Sequence, residues 1–210
     1  MMHHPVPLHE TAIVVAHEIY GVNAHIDGVA ATLRTHSCDV FTPSFLPEGT
    51  VYSYEDEALA YRRFAQNPGL ERMSQALSRC IESLRPRYRR VIAIGFSVGA
   101  TSAWLASATA PLDAAVCFYG SRIRDHLEVR PTAPCLLIFA EQEPAFSASE
   151  VAQHLQHRQG VTVETYPCRH GFSDPTSAGY SPEHARRAWE RTTRFLQLPH
   201  SAHTSPGERR

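Results

Sequence analysis

The stretch Gly95-Phe96-Ser97-Val98-Gly99-Ala100 follows directly on the apolar run Val91 to Ile94, and its reading decides the fold. It reads as a strand, a sharp turn and a helix start. A serine at the tip of such a turn sits in a strained backbone conformation that only small neighbours tolerate, and Gly95 and Gly99 are those neighbours. The turn lifts the Ser97 hydroxyl above the sheet edge. It also aims the Val98 N–H at the oxygen that gains negative charge in acyl transfer. Ala100 to Ala108, rich in alanine and carrying Trp104 and Leu105, is a good helix former able to lie close to a sheet. Phosphate-cradling loops are a different pattern: the stretch has neither Gly-x-Gly-x-x-Gly spacing nor a Gly-Lys-Ser/Thr ending.

Working outward, the chain alternates buried strands with helices. Residues 11 to 16 and 134 to 140 are continuous apolar runs, suited to strands covered on both faces. Cys38 to Thr42, Leu112 to Phe118 and Val161 to Tyr166 read as further strands. Helices are expected after Asn23 as N-cap, over Tyr54 to Gln66, Leu70 to Leu84 and Ser149 to Arg158, and from Pro182 to Leu196. This alternation predicts an α/β fold, a mainly parallel sheet with helices on both faces in three layers. Residues 1–198 read as a single domain and 199–210 as a flexible tail. The 43 to 54 loop, marked by Pro43, Pro47 and Gly49, is expected near the mouth of a site.

Composition narrows the function classes. In 210 residues the formal charge is -1, which gives no field for nucleic acid or an anionic membrane. All 20 basic residues are arginine, and the cluster at Arg85 to Arg90 reads as a solvated connector. No apolar run is long enough to cross a bilayer, and the Met1-Met2-His3-His4-Pro5 start lacks the regions of a signal peptide. The five cysteines are scattered with no Cys-x-x-Cys pair, so no disulfide framework is implied. Together these features point to a cytoplasmic protein. His154 and His157 share a helix face but lack a third ligand, so neither a metal nor a cofactor is expected.

Parallel sheets carry their sites beyond the C-terminal strand ends, and the polar loops at Glu18, Ser97, Glu143 and His170 each follow such an end. In α/β-hydrolases the nucleophile, acid and histidine come in that order along the chain, and Ser97, Glu143 and His170 keep it. His170 would take the Ser97 proton and later donate it to the leaving group, with the carboxylate orienting the imidazole. Glu141 and Asp174 remain alternatives for the acid. Cys168, two residues before His170, reads as a loop residue, with a thiol-dependent chemistry as its functional alternative.

The chain resembles the dienelactone hydrolase family of α/β-hydrolases over about residues 10 to 197. The matching segments are His17-Glu18-Ile19-Tyr20-Gly21-Val22-Asn23, Gly95-Phe96-Ser97-Val98-Gly99, Phe118-Tyr119-Gly120, Glu141-Gln142-Glu143 and His170-Gly171-Phe172. The resemblance implies that Glu18 is a buried carboxylate near the nucleophile and a participant in catalysis. It further implies that the N–H groups of Ile19 and Val98 form the oxyanion hole. This chain has Ser97 where the type enzymes have cysteine, and Glu143 where they usually have aspartate. It also has Asp174 where they carry a substrate-binding arginine; Arg62, Arg63 and Arg122 are the other candidates for positive charge. The expected function is therefore cleavage of a small ester or lactone through an acyl-Ser97 intermediate, by a monomer or homodimer. The rival expectation is a ligand-binding protein that keeps the fold with weakened or lost catalysis.

Overall fold

A computed structural model describes residues 7–144 and 146–199. The tail expected at 199–210 and the Met1 to Pro5 start fall, but for Pro199, outside the described residues. Among these described residues six strands form one sheet in the order β2-β1-β3-β4-β5-β6, every neighbouring pair parallel. They are β1 (Thr11–Ala16), β2 (Asp39–Phe41), β3 (Arg90–Phe96), β4 (Ala114–Phe118), β5 (Cys135–Gln142) and β6 (Val161–Arg169). The helices are α1 (Ala24–Arg34), α2 (Glu57–Gln66), α3 (Gly69–Leu84), α4 (Val98–Ala106), α5 (Ala148–Leu155) and α6 (Pro182–Phe195).

Successive strand residues point to opposite faces, so a buried parallel strand feeds two cores. In β1, Ala12, Val14 and Ala16 join Met73, Leu77 and Ile81 of α3 and Ala100 and Trp104 of α4. Ile13 and Val15 face the other way, onto Ile26, Val29 and Leu33 of α1 and Ala188 of α6. The three-layer expectation is met. Helix α4 is buried at nearly every position, because the sheet lies under it and α3 covers its outer side. Helix α2 stands one layer further out and buries only Ala60 and Phe64.

Two boundaries differ from the expectations in ways that matter for the site. Tyr54–Asp56 forms a tight 3-10 turn, and the α-helix begins only at Glu57. Strand β6 does not stop at Tyr166: after an irregularity between Ala140 and Gln142 it pairs again, Gln142 with Arg169. Pro167 breaks a strand when its missing N–H would face a neighbour, but β6 is an edge strand, where proline is tolerated. Cys168 is therefore a buried strand residue, not a loop residue, and His170 sits at the strand's very end.

Candidate active site

Ser97 occupies φ 52°, ψ -114°, between the end of β3 and the start of α4. The two glycines around it are required by space. A Cβ on Gly95 would lie 2.2 Å from the carbonyl oxygen of Gly99, and one on Gly99 would lie 2.2 Å from that of Ala16. The Ser97 N–H donates to the Phe118 carbonyl at 3.0 Å, which ties the turn to β4. Val98 opens the first turn of α4, where N–H groups have no carbonyl four residues back.

Strands β5 and β6 bring the other two groups. His170 Nε2 lies 3.1 Å from Ser97 Oγ, and Nδ1 lies 2.7 Å from Glu143 Oε1. A carboxylate on Nδ1 fixes the tautomer with hydrogen there and leaves Nε2 to accept the serine proton. The Glu143 side chain is 4% exposed and that of His170 34%, so water reaches the imidazole but hardly the carboxylate. Burial pulls the His170 pKa down; the Glu143 hydrogen bond and the charges of Glu143, Glu18 and Glu57 more than offset this and hold it above its ordinary value. Tyr119 packs on the imidazole at 4.9 Å, and its hydroxyl lies 3.2 Å from Ser173 Oγ.

Of the three candidate acids, Glu143 alone reaches His170. Glu141 points to solvent at the end of β5. Asp174 is fully buried and otherwise engaged: it accepts from Tyr54 Oη and from the Thr176 N–H and hydroxyl, both at 2.8 Å, with His25 Nδ1 3.8 Å away. Glu18 is 5% exposed at the turn after β1. Burial pushes its carboxyl up to about 7, with His170 opposing and Asp174 adding to the rise. Its influence on His170 is through charge; among the described residues Ser97 Oγ has a hydrogen bond only with His170.

The 17–21 turn is itself clamped. His17, with no exposed surface, donates from Nδ1 to the Glu18 carbonyl at 2.6 Å and accepts the Phe45 N–H on Nε2 at 2.8 Å. Burial lowers its pKa to about 4, so both bonds are kept by a neutral ring. The Tyr52 N–H donates to the Tyr20 carbonyl at 2.9 Å, and a Cβ on Gly21 would lie 2.3 Å from the Thr50 carbonyl oxygen. The 43 to 54 loop thus straps over the turn that carries Glu18 and Ile19. Asn23 caps α1 through the Ile26 N–H and also donates to Tyr54 Oη at 3.1 Å.

The remaining sequence candidates lie apart. Cys168 is 6% exposed, and burial, with the charges of Glu141 and Glu143, pushes its thiol up to about 12. That disqualifies it as a thiolate nucleophile at neutral pH. Arg122 is paired with Asp125 at 3.1 Å, and Arg62 and Arg63 are exposed on α2. Nothing local in the sequence assigns a role to His17, Tyr54 or Tyr119, and Asp174 stands there as an alternative acid and as the residue in place of the family's substrate-binding arginine. His17 and Tyr119 lie inside the matched segments, which was signal enough to single them out; the Tyr54–Asp174 pair spans 120 residues and leaves no local pattern.

A parallel sheet flanked by helices, with a strained serine on a strand-to-helix turn and a histidine and carboxylate from later strand ends, defines an α/β-hydrolase. A match to the dienelactone hydrolase family model covers residues 1–199, and the chain belongs to that family of hydrolases. It is 36% identical over 171 residues to an uncharacterised Bacillus subtilis protein, YczH, covering 80% of this chain and 84% of that one. It is 26% identical to a Bradyrhizobium protein named "Probable 2-oxo-3-(5-oxofuran-2-ylidene)propanoate lactonase", covering 89% and 83% respectively. Among solved structures, a dienelactone hydrolase-like promiscuous phosphotriesterase from metagenomic libraries superposes with a TM-score of 0.73 at 19% identity, covering 90% of this chain and 86% of that one.

Proposed function

We propose that this protein is a serine hydrolase that cleaves a small carboxylic ester or lactone through an acyl intermediate on Ser97. The observation that carries the reading is the continuous chain Ser97 Oγ, His170 and Glu143, at 3.1 and 2.7 Å, set on the strained turn. The lactonase name of the Bradyrhizobium relative supports the bond type.

The steps follow from proton bookkeeping. Ser97 Oγ attacks the carbonyl carbon as its proton passes to His170 Nε2. The N–H groups of Ile19 and Val98 receive the oxygen that becomes negative, the electrostatic contribution that usually dominates acyl transfer. The tetrahedral intermediate collapses, the bond to the leaving oxygen breaks, and His170 hands the proton to that oxygen. Water then attacks the acyl group, again losing a proton to His170, which returns it to Ser97 as the acid product departs. Glu143 accepts from Nδ1 throughout and stabilises the transient imidazolium; the charge of Glu18 adds to this stabilisation.

The partners on this reading are the ester or lactone alone, with no nucleic acid or membrane, for a monomer or homodimer. Its place is the cytoplasm, a reading supported by five unpaired cysteines. No described helix is long and apolar enough to cross a membrane. Release of p-nitrophenol from short acyl esters by wild type, Ser97→Ala and His170→Ala is the test. Loss of turnover on the order of a thousandfold or more in both variants is expected. Undiminished turnover by Ser97→Ala would overturn the proposal.

A further inference from the structure

The two backbone donors assigned to the oxyanion come from turns that touch. His17 follows β1 and Val98 opens α4, and a Cβ on Gly99 would lie 2.2 Å from the Ala16 carbonyl oxygen and 2.6 Å from that of His17. Backbone therefore meets backbone at Gly99. Neither the Ile19 N–H nor the Val98 N–H donates to a described residue. The Val98 N–H is aimed by the helix it opens. What aims the Ile19 N–H is a side chain one residue before its own peptide unit.

The Ile19 N–H belongs to the same peptide unit as the Glu18 carbonyl. Such a unit is planar and trans, so its C=O and N–H point in opposite directions and whatever fixes one aims the other. The Glu18 carbonyl accepts from His17 Nδ1 at 2.6 Å, with the Gly21 N–H a longer second donor at 3.3 Å. The Phe45 N–H donates to Nε2 of the same ring at 2.8 Å, which makes Nε2 the acceptor and leaves the hydrogen of the neutral ring on Nδ1. Burial with no exposed surface keeps the ring neutral. A donor on the carbonyl also draws charge through the peptide and strengthens the N–H on its far side.

We propose that His17 is a positioning residue of the oxyanion hole, its Nδ1–H aiming and polarising the Glu18–Ile19 peptide so that the Ile19 N–H meets the oxygen that becomes negative. This role rests on the hydrolase reading above. The 43 to 54 loop shares in it through Phe45, whose N–H sets the ring tautomer. Removing an oxyanion donor outright costs on the order of a hundredfold or more in kcat, so withdrawing the support of one is expected to cost about tenfold or more. Because the oxyanion exists only in the transition state, kcat and kcat/KM fall together.

Two substitutions separate the two bonds of the ring. His17→Asn keeps an amide donor at the Nδ1 position for the Glu18 carbonyl and reaches no further, whereas His17→Gln places an amide oxygen at the Nε2 position for the Phe45 N–H and has no donor at Nδ1. Turnover of a short p-nitrophenyl ester, with thermal denaturation as the check on folding, is expected to fall by about tenfold or more in His17→Gln and to recover most of that loss in His17→Asn. Equal losses in the two folded variants, or the larger loss in His17→Asn, would make His17 a clamp on the loop alone and overturn the proposal. Ser97→Ala, run alongside, keeps the two claims apart. Turnover that survives it, or none in wild type, brings down the hydrolase reading and this role with it; turnover that needs Ser97 but does not distinguish Asn from Gln brings down this role alone. Should His17→Gln not fold, nitrogen NMR of the wild-type imidazole at neutral pH decides: a hydrogen on Nδ1 and none on Nε2 is expected, and the opposite tautomer or an imidazolium would overturn the proposal.

Discussion

His170 Nδ1 lies 2.7 Å from Oε1 of Glu143, a bond that joins the end of β6 to the end of β5 through a carboxylate only 4% exposed. Removing the carboxylate leaves the imidazole free to adopt either tautomer. Glu143→Gln is therefore expected to lower kcat by on the order of a thousandfold, while exposed Glu141→Gln stays close to wild type. The pH profile gives a second reading. The base works neutral, so activity falls as pH drops through the His170 pKa, which Glu143, Glu18 and Glu57 raise above 6.5. The acid limb of kcat/KM should lie above that value in wild type and move down in Glu143→Gln. A limb that does not move would contradict the assignment.

His17 and Glu18 are neighbours whose titrations oppose each other. The folded pKa of His17 is depressed from 6.5 to about 4, so its stabilising neutral form is lost progressively as pH falls below 6.5. That of Glu18 is raised from 4.5 to about 7, so its contribution is full below 4.5 and lost as pH rises through 7. Between pH ~7.5 and ~5 each is worth about 2 kcal/mol, with opposite signs, and they nearly cancel. Urea denaturation should thus show little change in wild type over this range from these two groups. Glu18→Gln should exceed wild type in stability by a margin that grows with pH. A margin independent of pH would contradict a Glu18 carboxyl whose pKa is raised by burial.

The two glycines around Ser97 are predicted to be irreplaceable because a Cβ at either position runs into backbone, whereas a glycine with open space around it is not so bound. Gly99→Ala drives a Cβ to 2.2 Å from the Ala16 carbonyl oxygen and should cost ~3 kcal/mol or more, or prevent folding. Gly28→Ala, in α1 with nothing within 4 Å, should instead stabilise by about 0.5–1 kcal/mol. Thermal denaturation of the pair checks both signs.

Cys168 offers a clean negative control. Its thiol is buried, donates to the Tyr166 carbonyl at 3.5 Å, and is pushed up to about 12. Alkylating reagents should leave it unmodified in the folded protein at neutral pH, and Cys168→Ala should retain esterase turnover. Loss of turnover with the fold intact would revive thiol chemistry at this position.

The sheet, the strained serine and the order of site residues were legible because each rests on local chemistry. Continuous apolar runs announce strands buried on both faces, and two glycines flanking a serine announce the turn. The choice among Glu141, Glu143 and Asp174 was not legible, since three carboxylates near two strand ends look alike until the strand register is known. The extension of β6 through Pro167 to Arg169, set by pairing with Gln142, is what brings His170 to Glu143. Asp174 is withdrawn by Tyr54, 120 residues away, and nothing in the neighbourhood of either residue announces the contact. The role of His17 was hidden for the same reason, because its partner Phe45 comes from a loop whose path no periodicity encodes.

The central claim is that Ser97 is a nucleophile activated by His170, and covalent labelling with a fluorophosphonate tests it most directly. Folded wild-type protein should gain one adduct, mapped to the peptide bearing Ser97, and His170→Ala should label far more slowly. Absence of an adduct on Ser97 in folded protein that the reagent reaches, or an adduct mapped to another residue, would contradict the account.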